Sequence, residues 1–373
     1  MSFTDKQEQL IERTVEITKS ADNVIMDEFN RFNTIYVGNI SKERVNFEIQ
    51  LMYPAIANTL NYDLERYFQD QYYNFEKTLE YRIWHYENIP DDSPFTGIYE
   101  MEHGVYAMEY AQLGMDVAWI KGDYPHASPP CIKNSDDLKR IGVPDFFTTG
   151  HMPRVIESYH QLKDDLKGRL PVGIRKFFHG PTQFACDIAG IENVYMDMLV
   201  NPGFVEELFD FYCAFLREWV NGWEKLHGRP YGMIHMAEDQ VDTKCMIRSE
   251  TYRDQILPYH IKLGEEYGGV HWHSCGEVDN IMEYVKNIPN IKVVEMGPET
   301  NEYEAAKIFQ GTDAVFYKCV SPLDYLNPKP GVLEQVIENV IKASELVPIK
   351  MVLETPDLDA AMKMLELFRK MYN

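Results

Sequence analysis

No uninterrupted apolar run of about 18 residues occurs in this chain, so no segment has the length needed to span a bilayer as a helix. The N-terminal run MSFTDKQEQLIERTVEITK is charged and lacks the apolar centre of a secretory leader, which leads us to expect a cytoplasmic protein. Basic residues are scarce, with 36 Lys and Arg against 59 Asp and Glu and a formal net charge of −23. Nucleic acid and anionic membrane surfaces both need a basic footprint, so neither is an expected partner. A polyanionic substrate is disfavoured for the same reason unless a pocket is locally basic. Cysteines are few: the six (Cys131, Cys186, Cys213, Cys245, Cys275, Cys319) are scattered, which is no disulfide framework and suits a reducing compartment. Also absent are a Gly-x-Gly-x-x-Gly turn after a strand and a Walker-type loop, which weakens the nucleotide-binding folds.

What is present is an ordinary soluble composition, 45% apolar and 25% charged, with many aromatics (24 Tyr, 19 Phe, 5 Trp). A chain of 373 residues exceeds the usual single core, but α/β barrels of this length form one domain. Residues 1 to about 35 have helical spacing, with Leu10, Ile11, Val15 and Ile17 continuing through Val24, Ile25 and Phe29. From about 42 to 86 runs a polar-aromatic region read as helical, including Leu64, Tyr67, Phe68, Tyr72, Tyr73 and Phe75. The turn Pro90-Asp91-Asp92-Ser93-Pro94 ends it. We therefore expect an N-terminal helical extension over 1–90, packed on a catalytic domain over 91–373.

In that second part, short β-branched or aromatic runs alternate with amphipathic helices. The expected strands lie at 116–120, 170–174, 231–239, 269–275, 291–296, 314–319 and 349–354. Between them fall helices at about 182–190, 203–226, 279–287, 303–309 and 332–345, and one from Ser249-Glu250 to Glu266. A last helix follows at 357–371. Alternation of this kind implies a parallel sheet. Polar residues gather at the C-terminal ends of these strands: His179, Glu238, Asp239, His273, Cys275, Glu295, Cys319 and Glu354. An eight-stranded (β/α)8 TIM barrel places its active site there. An open doubly wound sheet would concentrate them there too, so the barrel is the favoured architecture of two.

The densest chemistry lies in Gly268-Gly269-Val270-His271-Trp272-His273-Ser274-Cys275-Gly276-Glu277. On a strand, side chains alternate faces, so His271, His273 and Cys275 point the same way. A histidine and a cysteine one residue apart at a strand end can grip one metal ion. The bland alternative is a buried thiol beside satisfied histidines. Of Glu238-Asp239 only one carboxylate can face a pocket, unless the strand has already given way to loop.

Four segments, in order and approximate spacing, resemble the uroporphyrinogen decarboxylase superfamily. They are His179-Gly180-Pro181, Glu238-Asp239, the Ser249-Glu250-x-Tyr252-Arg253 to Pro258-Tyr259 helix, and His273-Ser274-Cys275-Gly276. The similarity covers about 90–360, with Asn201-Pro202 before a long helix and the Val320-Ser321-Pro322-Leu323-Asp324 turn. The resemblance implies a (β/α)8 barrel and one of two chemistries, metal-free decarboxylation or zinc-dependent methyl transfer with corrinoid proteins. True uroporphyrinogen decarboxylases carry an arginine-rich segment near the N-terminus, and residues 1–60 contain none. The methyltransferase branch is matched at His273-x-Cys275, where the resemblance implies the first two zinc ligands. Its coenzyme M enzymes supply a third, cysteine ligand after the last strand, where this chain has Leu353-Glu354-Thr355-Pro356. The resemblance then leaves Cys319, Glu238 or Glu354 as the further ligand.

On this resemblance the expected protein is a zinc-dependent methyltransferase that moves a methyl group from a small methylated substrate to a corrinoid protein. A zinc ion held by three groups with a fourth position open suits that chemistry. The cobalamin would ride on the separate partner, because no Asp-x-His-x-x-Gly segment is present. Glu238 and Asp239 are candidate catalytic carboxylates, and His179, Tyr124 and Tyr317 candidate substrate contacts. The aromatic-rich N-terminal half leans the substrate towards an aryl methyl ether, as in an O-demethylase, although the same rings would suit a homodimer interface. The rival readings are a methylcobamide:thiol or tetrahydrofolate methyltransferase, a decarboxylase-like enzyme, and a non-catalytic barrel that binds a tetrapyrrole or corrinoid.

Overall fold

The computed structural model describes residues 3–21, 24–25, 44–101, 107–321, 325–326 and 329–372. The helical continuation expected through Phe29 and the Pro322-Leu323-Asp324 part of the expected turn lie outside them.

Eight parallel strands organise the chain: β1 (Asn46–Leu51), β2 (Tyr99–Met101), β3 (Val172–Ile174), β4 (Met233–Ala237), β5 (Gly269–Ser274), β6 (Ile291–Met296), β7 (Val315–Cys319) and β8 (Ile349–Thr355). Six of them hydrogen-bond in the order β1-β8-β7-β6-β5-β4, and β2 pairs with β3. The segment after β3 joins the two groups. Ala237 N–H donates to Phe178 O (3.0 Å) and Gly180 N–H donates to Ala237 O (2.8 Å). From β2 to β8 each strand thus lies beside its neighbour in sequence, β1 pairs with β8, and the segment before β2 meets β1 through the Asp92 N–H and Phe47 O. That closed order is a (β/α)8 barrel, and it removes the exposed edges an open sheet would leave. Between β1 and β2, side chains help satisfy the backbone. Phe47 N–H donates to Asp92 (2.9 Å) and Ile49 N–H to Asp91 (2.7 Å).

Alternation along the strands makes two environments. Ile234, Met236, Val270, Trp272, Val294 and Phe316 belong to the main core beneath the surrounding helices. Met233, Val293, Val315, Tyr317 and Val352 form a separate cluster in the lumen, with Cys319 against it. Lys350 also lies there, buried, 2.7 Å from Glu48 and 3.7 Å above the Tyr317 ring. A buried ammonium without that carboxylate would be costly.

The helices are α1 (Asp5–Ser20), α2 (Tyr53–Leu60), α3 (Leu64–Gln69), α4 (Gln71–Asn88), α5 (Met152–Leu166), α6 (Pro181–Ala189), α7 (Ile191–Val200), α8 (Pro202–His227), α9 (Leu257–Glu266), α10 (Glu302–Phe309), α11 (Val332–Ser344) and α12 (Leu358–Tyr372), with shorter turns between. A capping box of Thr4 and Gln7 starts α1, whose Ile11 and Ile17 are buried. Lys6 and Arg13 tie it to Glu80 and Glu87 of α4.

Three expectations are corrected. Asn46–Leu51 lies in the stretch read as helical but is β1, so the barrel begins inside the expected N-terminal extension. Val24–Ile25 is likewise a short strand, paired with Phe95–Thr96. Asp116–Ala118 is a strand as read, but it forms an antiparallel hairpin with His126–Ser128 outside the barrel. The helix expected from Ser249-Glu250 does begin there, with Arg248 in the cap position and no side-chain bond.

One helix end is clipped to the barrel by a neutral histidine. His227 stacks on Trp223 at 3.9 Å, its Nδ1 donates to Trp223 O (2.8 Å), and its Nε2 accepts from Ile174 N–H (3.1 Å). Burial, opposed by the Trp223 carbonyl and helped by Arg229, pulls its pKa from 6.5 down to about 4. Between those values the unfolded chain binds a proton that the folded chain does not. This contribution to stability is therefore complete above pH 6.5 and is lost as pH falls towards about 4. We expect His227→Gln to flatten that part of the melting-temperature profile. Equal slopes for the two proteins across the window would refute the assignment.

Candidate metal centre

The C-terminal ends of β4 to β8 converge on one cluster. β5 delivers His273 and, just past its end, Cys275, and the loop after β4 delivers Asp239. His273 Nε2 is 3.0 Å from Asp239 Oδ1 and 3.3 Å from Cys275 Sγ. Cys275 N–H also donates to Asp239 Oδ1 (3.0 Å). One donor atom from each of the three lies within 4.8 Å of the others. Tetrahedral nitrogen, sulfur and oxygen ligands of zinc stand about 3.3–3.8 Å apart. The His273–Asp239 and His273–Cys275 separations need to open by only a few tenths of an ångström, and the donor types suit zinc, so the residues fit such an ion.

Glu295, on β6, stands behind His273. Its Oε2 is 3.1 Å from His273 Nδ1 and accepts from His271 Nε2 (2.8 Å), and Cys319 Sγ contacts its other oxygen at 3.6 Å. A carboxylate behind a ligating imidazole fixes the ring and raises its basicity. His235 lies deeper: its Nδ1 donates to Phe178 O (2.8 Å) and its ring stacks on Phe178 at 4.1 Å. His235, His271 and Glu295 form the second compact donor group among the described residues.

The electrostatics are those of a tight ion cluster. Burial opposes charge on His273, but Glu295, then Asp239 and Cys275, outweigh it and hold its pKa well above the ordinary value. Glu295 is held well below the usual carboxylate range, because His273 and His271 overcome its burial. Burial likewise opposes charge on Asp239, yet His273 and the Cys275 N–H bring it down. Desolvation at the barrel mouth pushes the Cys275 thiol up against the pull of His273, although the residue as a whole is exposed. Cys319 is pushed up further, by burial and Glu295. Glu354 is raised, by burial and then by Glu295. A bound divalent ion would replace the positive charge that His273 supplies.

The sequence candidates part company here. His273 and Cys275 come together as expected, and Asp239 joins them. Cys319 reaches the cluster through Glu295, and neither it nor Glu354 belongs to the compact trio. Glu238 turns the other way and is completely buried, accepting from Thr182 and Gln183 N–H at the start of α6. His179 is bound to Glu109 at 2.6 Å, a buried carboxylate that also accepts from Phe178 N–H. Tyr317 lies in the lumen under Lys350. Tyr124 packs with Tyr53 and Phe68 in an aromatic cluster of the N-terminal helices. Glu109, His260 and Lys318 had no role in the sequence reading. Each is a buried polar residue among apolar neighbours in sequence, a pattern that signals burial only once partners are seen.

The loop carrying Cys275 is held from below. Lys318 Nζ donates to Gly297 O (3.1 Å), Pro298 O (3.0 Å) and Thr300 O (2.6 Å) and pairs with Glu302 at 3.1 Å. Thr300 Oγ1 in turn donates to Gly276 O (3.1 Å), and Gly297 N–H to Ser274 O (2.8 Å).

Comparison with known proteins follows the same lines. A methylated-thiol–coenzyme M methyltransferase of Methanosarcina mazei is 28% identical over 186 residues, 48% of this chain and 47% of that protein. The chain thus spans about half the length of the curated relative it matches. The solved structure of a methyltransferase from Methanosarcina mazei superposes over 99% of both chains with a TM-score of 0.62 and 13% identity, a likeness of fold. The pattern of the uroporphyrinogen decarboxylase (URO-D) family matches residues 106–346, a span that contains strands β3 to β7 and the whole His273, Cys275 and Asp239 trio. With most of its length inside that match and its strands closed in the barrel order, the chain belongs to the uroporphyrinogen decarboxylase family.

Proposed function

We propose that this protein is a zinc-dependent methyltransferase that moves a methyl group between a small methylated substrate and a corrinoid carried on a separate protein. The observation that carries the reading is the His273, Cys275 and Asp239 trio at the open end of the barrel, backed by Glu295. Similarity to a methylated-thiol–coenzyme M methyltransferase supports it. His273 Nε2, Cys275 Sγ and Asp239 would hold the ion, with Cys319 and Glu354 beside them. When bound, the zinc supplies a Lewis acid for the heteroatom that gives up or receives the methyl group. Glu295 holds the His273 ring so that Nε2 faces Asp239 and Cys275, and its charge keeps that imidazole basic. Asp239 aligns Cys275 through the backbone N–H.

The lean towards an aryl ether finds less support. Tyr53, Tyr67, Phe68 and Tyr124 are engaged with one another, ring centroids 5.2 to 6.4 Å apart. The name of the curated relative favours a thiol or thioether on the substrate side, which makes the methylcobamide:thiol direction the second reading. All six cysteines are free, and no helix among the described residues is long and apolar enough to cross a membrane.

The test is spectroscopic. Zinc-loaded protein is mixed with cob(I)alamin and a panel of methyl thioethers, ethers and amines, and methylcobalamin formation is followed by absorbance. The reverse mixture, methylcobalamin with small thiols, reads the other direction. Turnover in either, dependent on the metal, is the expected result. No zinc bound and no transfer in either direction would sink the reading.

A further inference from the structure

A buried network that the metal site does not use lies directly behind Asp239. Glu238 Oε1 accepts from Thr182 N–H (3.2 Å) and Oε2 from Gln183 N–H (3.0 Å), both in the first turn of α6. Free N–H groups and the helix dipole make that position favourable for a carboxylate. Oε1 also meets His260 Nε2 at 2.7 Å, and His260 Nδ1 meets the Tyr252 hydroxyl at 3.0 Å. Glu238, His260 and Tyr252 are all 0% exposed. A buried polar chain of this kind is costly unless each member is satisfied, and here the members satisfy one another.

Sequence segments singled out above meet around Glu238, at its carboxylate, its backbone N–H or through His260. Gly180, of His179-Gly180-Pro181, has no side chain because a Cβ there would lie 2.5 Å from Glu238 Oε1. Tyr252 opens a π-helical turn, Tyr252–Ile256, whose extra residue shifts the face it presents to His260 on the following helix α9. Glu238 itself is stitched to the metal strand, since its N–H donates to His273 O (2.8 Å). Glu238 and Asp239 lie just past the end of the strand at Ala237, where the chain turns. With Glu238 anchored outward between α6 and α9, Asp239 is turned towards His273 and Cys275.

We propose that Glu238, His260 and Tyr252 form a positioning network that sets where Asp239 stands relative to His273 and Cys275, and thereby the affinity and geometry of the ion they hold. The inference rests on the metal reading above. It makes Glu238 a positioning residue in place of the catalytic carboxylate the sequence suggested. His260 and Tyr252 join it as parts of the site that touch neither metal nor substrate.

The test uses Co²⁺ as the probe, because its visible spectrum reports both tetrahedral geometry and thiolate ligation. The full chain is compared with Glu238→Gln, Tyr252→Phe and Leu162→Ala, the last a buried α5 residue outside the network. We expect Glu238→Gln to weaken Co²⁺ binding about tenfold and alter the spectrum, as loss of an outer support of a metal site does. Removing the Tyr252 hydroxyl takes away one hydrogen bond and weakens binding about threefold. Leu162→Ala lowers the melting temperature and leaves Co²⁺ affinity and spectrum unchanged, which a merely structural network would also do. Wild-type affinity and spectrum in folded Glu238→Gln and Tyr252→Phe would overturn the inference while leaving the metal site intact. If Glu238→Gln does not fold, Tyr252→Phe decides alone. A wild-type protein that binds no Co²⁺ would overturn the metal reading, and this inference with it.

Discussion

We expect Cys275→Ala protein, purified without chelators, to contain almost no zinc, and the wild type to carry about one ion per chain. Outer supports of a metal site are worth about 10–100-fold in affinity, and a ligating thiolate is worth more than its supports. On the proposed function, methyl transfer is expected to fall together with the metal. The variant also separates site from fold. Cys275 is exposed, so removing its sulfur leaves no cavity, and the two metal-free proteins unfold at nearly the same temperature. Elemental analysis beside thermal unfolding reads both effects. Zinc retained at one per chain in the variant would remove Cys275 from the ligand set and return the problem to Asp239, Cys319 and Glu354.

Gly297→Ala has the larger effect on stability and reaches the same site without touching a ligand. A Cβ at this position would lie 2.1 Å from Cys275 O and 2.5 Å from Cys275 C, both backbone atoms that no rotamer change can move aside. The two segments cannot drift apart easily. Gly297 N–H is bonded to Ser274 O, and Lys318 grips Gly297, Pro298 and Thr300 from the other side. Relief has to come from displacing Cys275 itself. Overpacking of this kind costs about 3 kcal/mol, the upper part of the usual range, because backbone meets backbone. Urea unfolding of the metal-free protein measures the loss, and zinc content shows the displaced thiol. Gly268→Ala is the contrast, since a Cβ there meets nothing within 4 Å. A loss below about 1 kcal/mol with full zinc retained would show that the loop yields more readily than its hydrogen bonds imply.

Much of the barrel was legible because its strands from β3 to β8 obey local rules. Short β-branched runs end in glycine or polar residues, and amphipathic helices of ordinary length separate them. β1 and β2 escaped for opposite reasons. β2 has three residues, too few for any period to show. β1, Asn46–Leu51, carries an alternation that aromatic helical segments on its C-terminal side obscure, and its strand character comes from pairing with β8 about three hundred residues away. The hairpin at Asp116–Ala118 shows the converse: a genuine strand whose place in the architecture was not written in its composition.

At the site, the sequence by itself determined that His273 and Cys275 share one face of a strand end, because alternation is a property of the extended backbone and needs no partner. For Glu238 and Asp239 it left two cases, opposite faces if the strand continued and no such rule if the loop had begun, and the strand ends at Ala237. Which of the two turns towards His273 and Cys275 was decided only by tertiary structure. The start of α6 and His260 supply partners for one carboxylate on the outer side, and His273 and the Cys275 N–H supply them for the other at the mouth. Likewise Glu295 was one of eight strand-end polar residues until the closure of β5 against β6 set it between His271, His273 and Cys319. Local geometry is carried by the chain itself; the choice of partner for a charge depends on which surfaces the barrel brings together, and buried charges settle where those partners are.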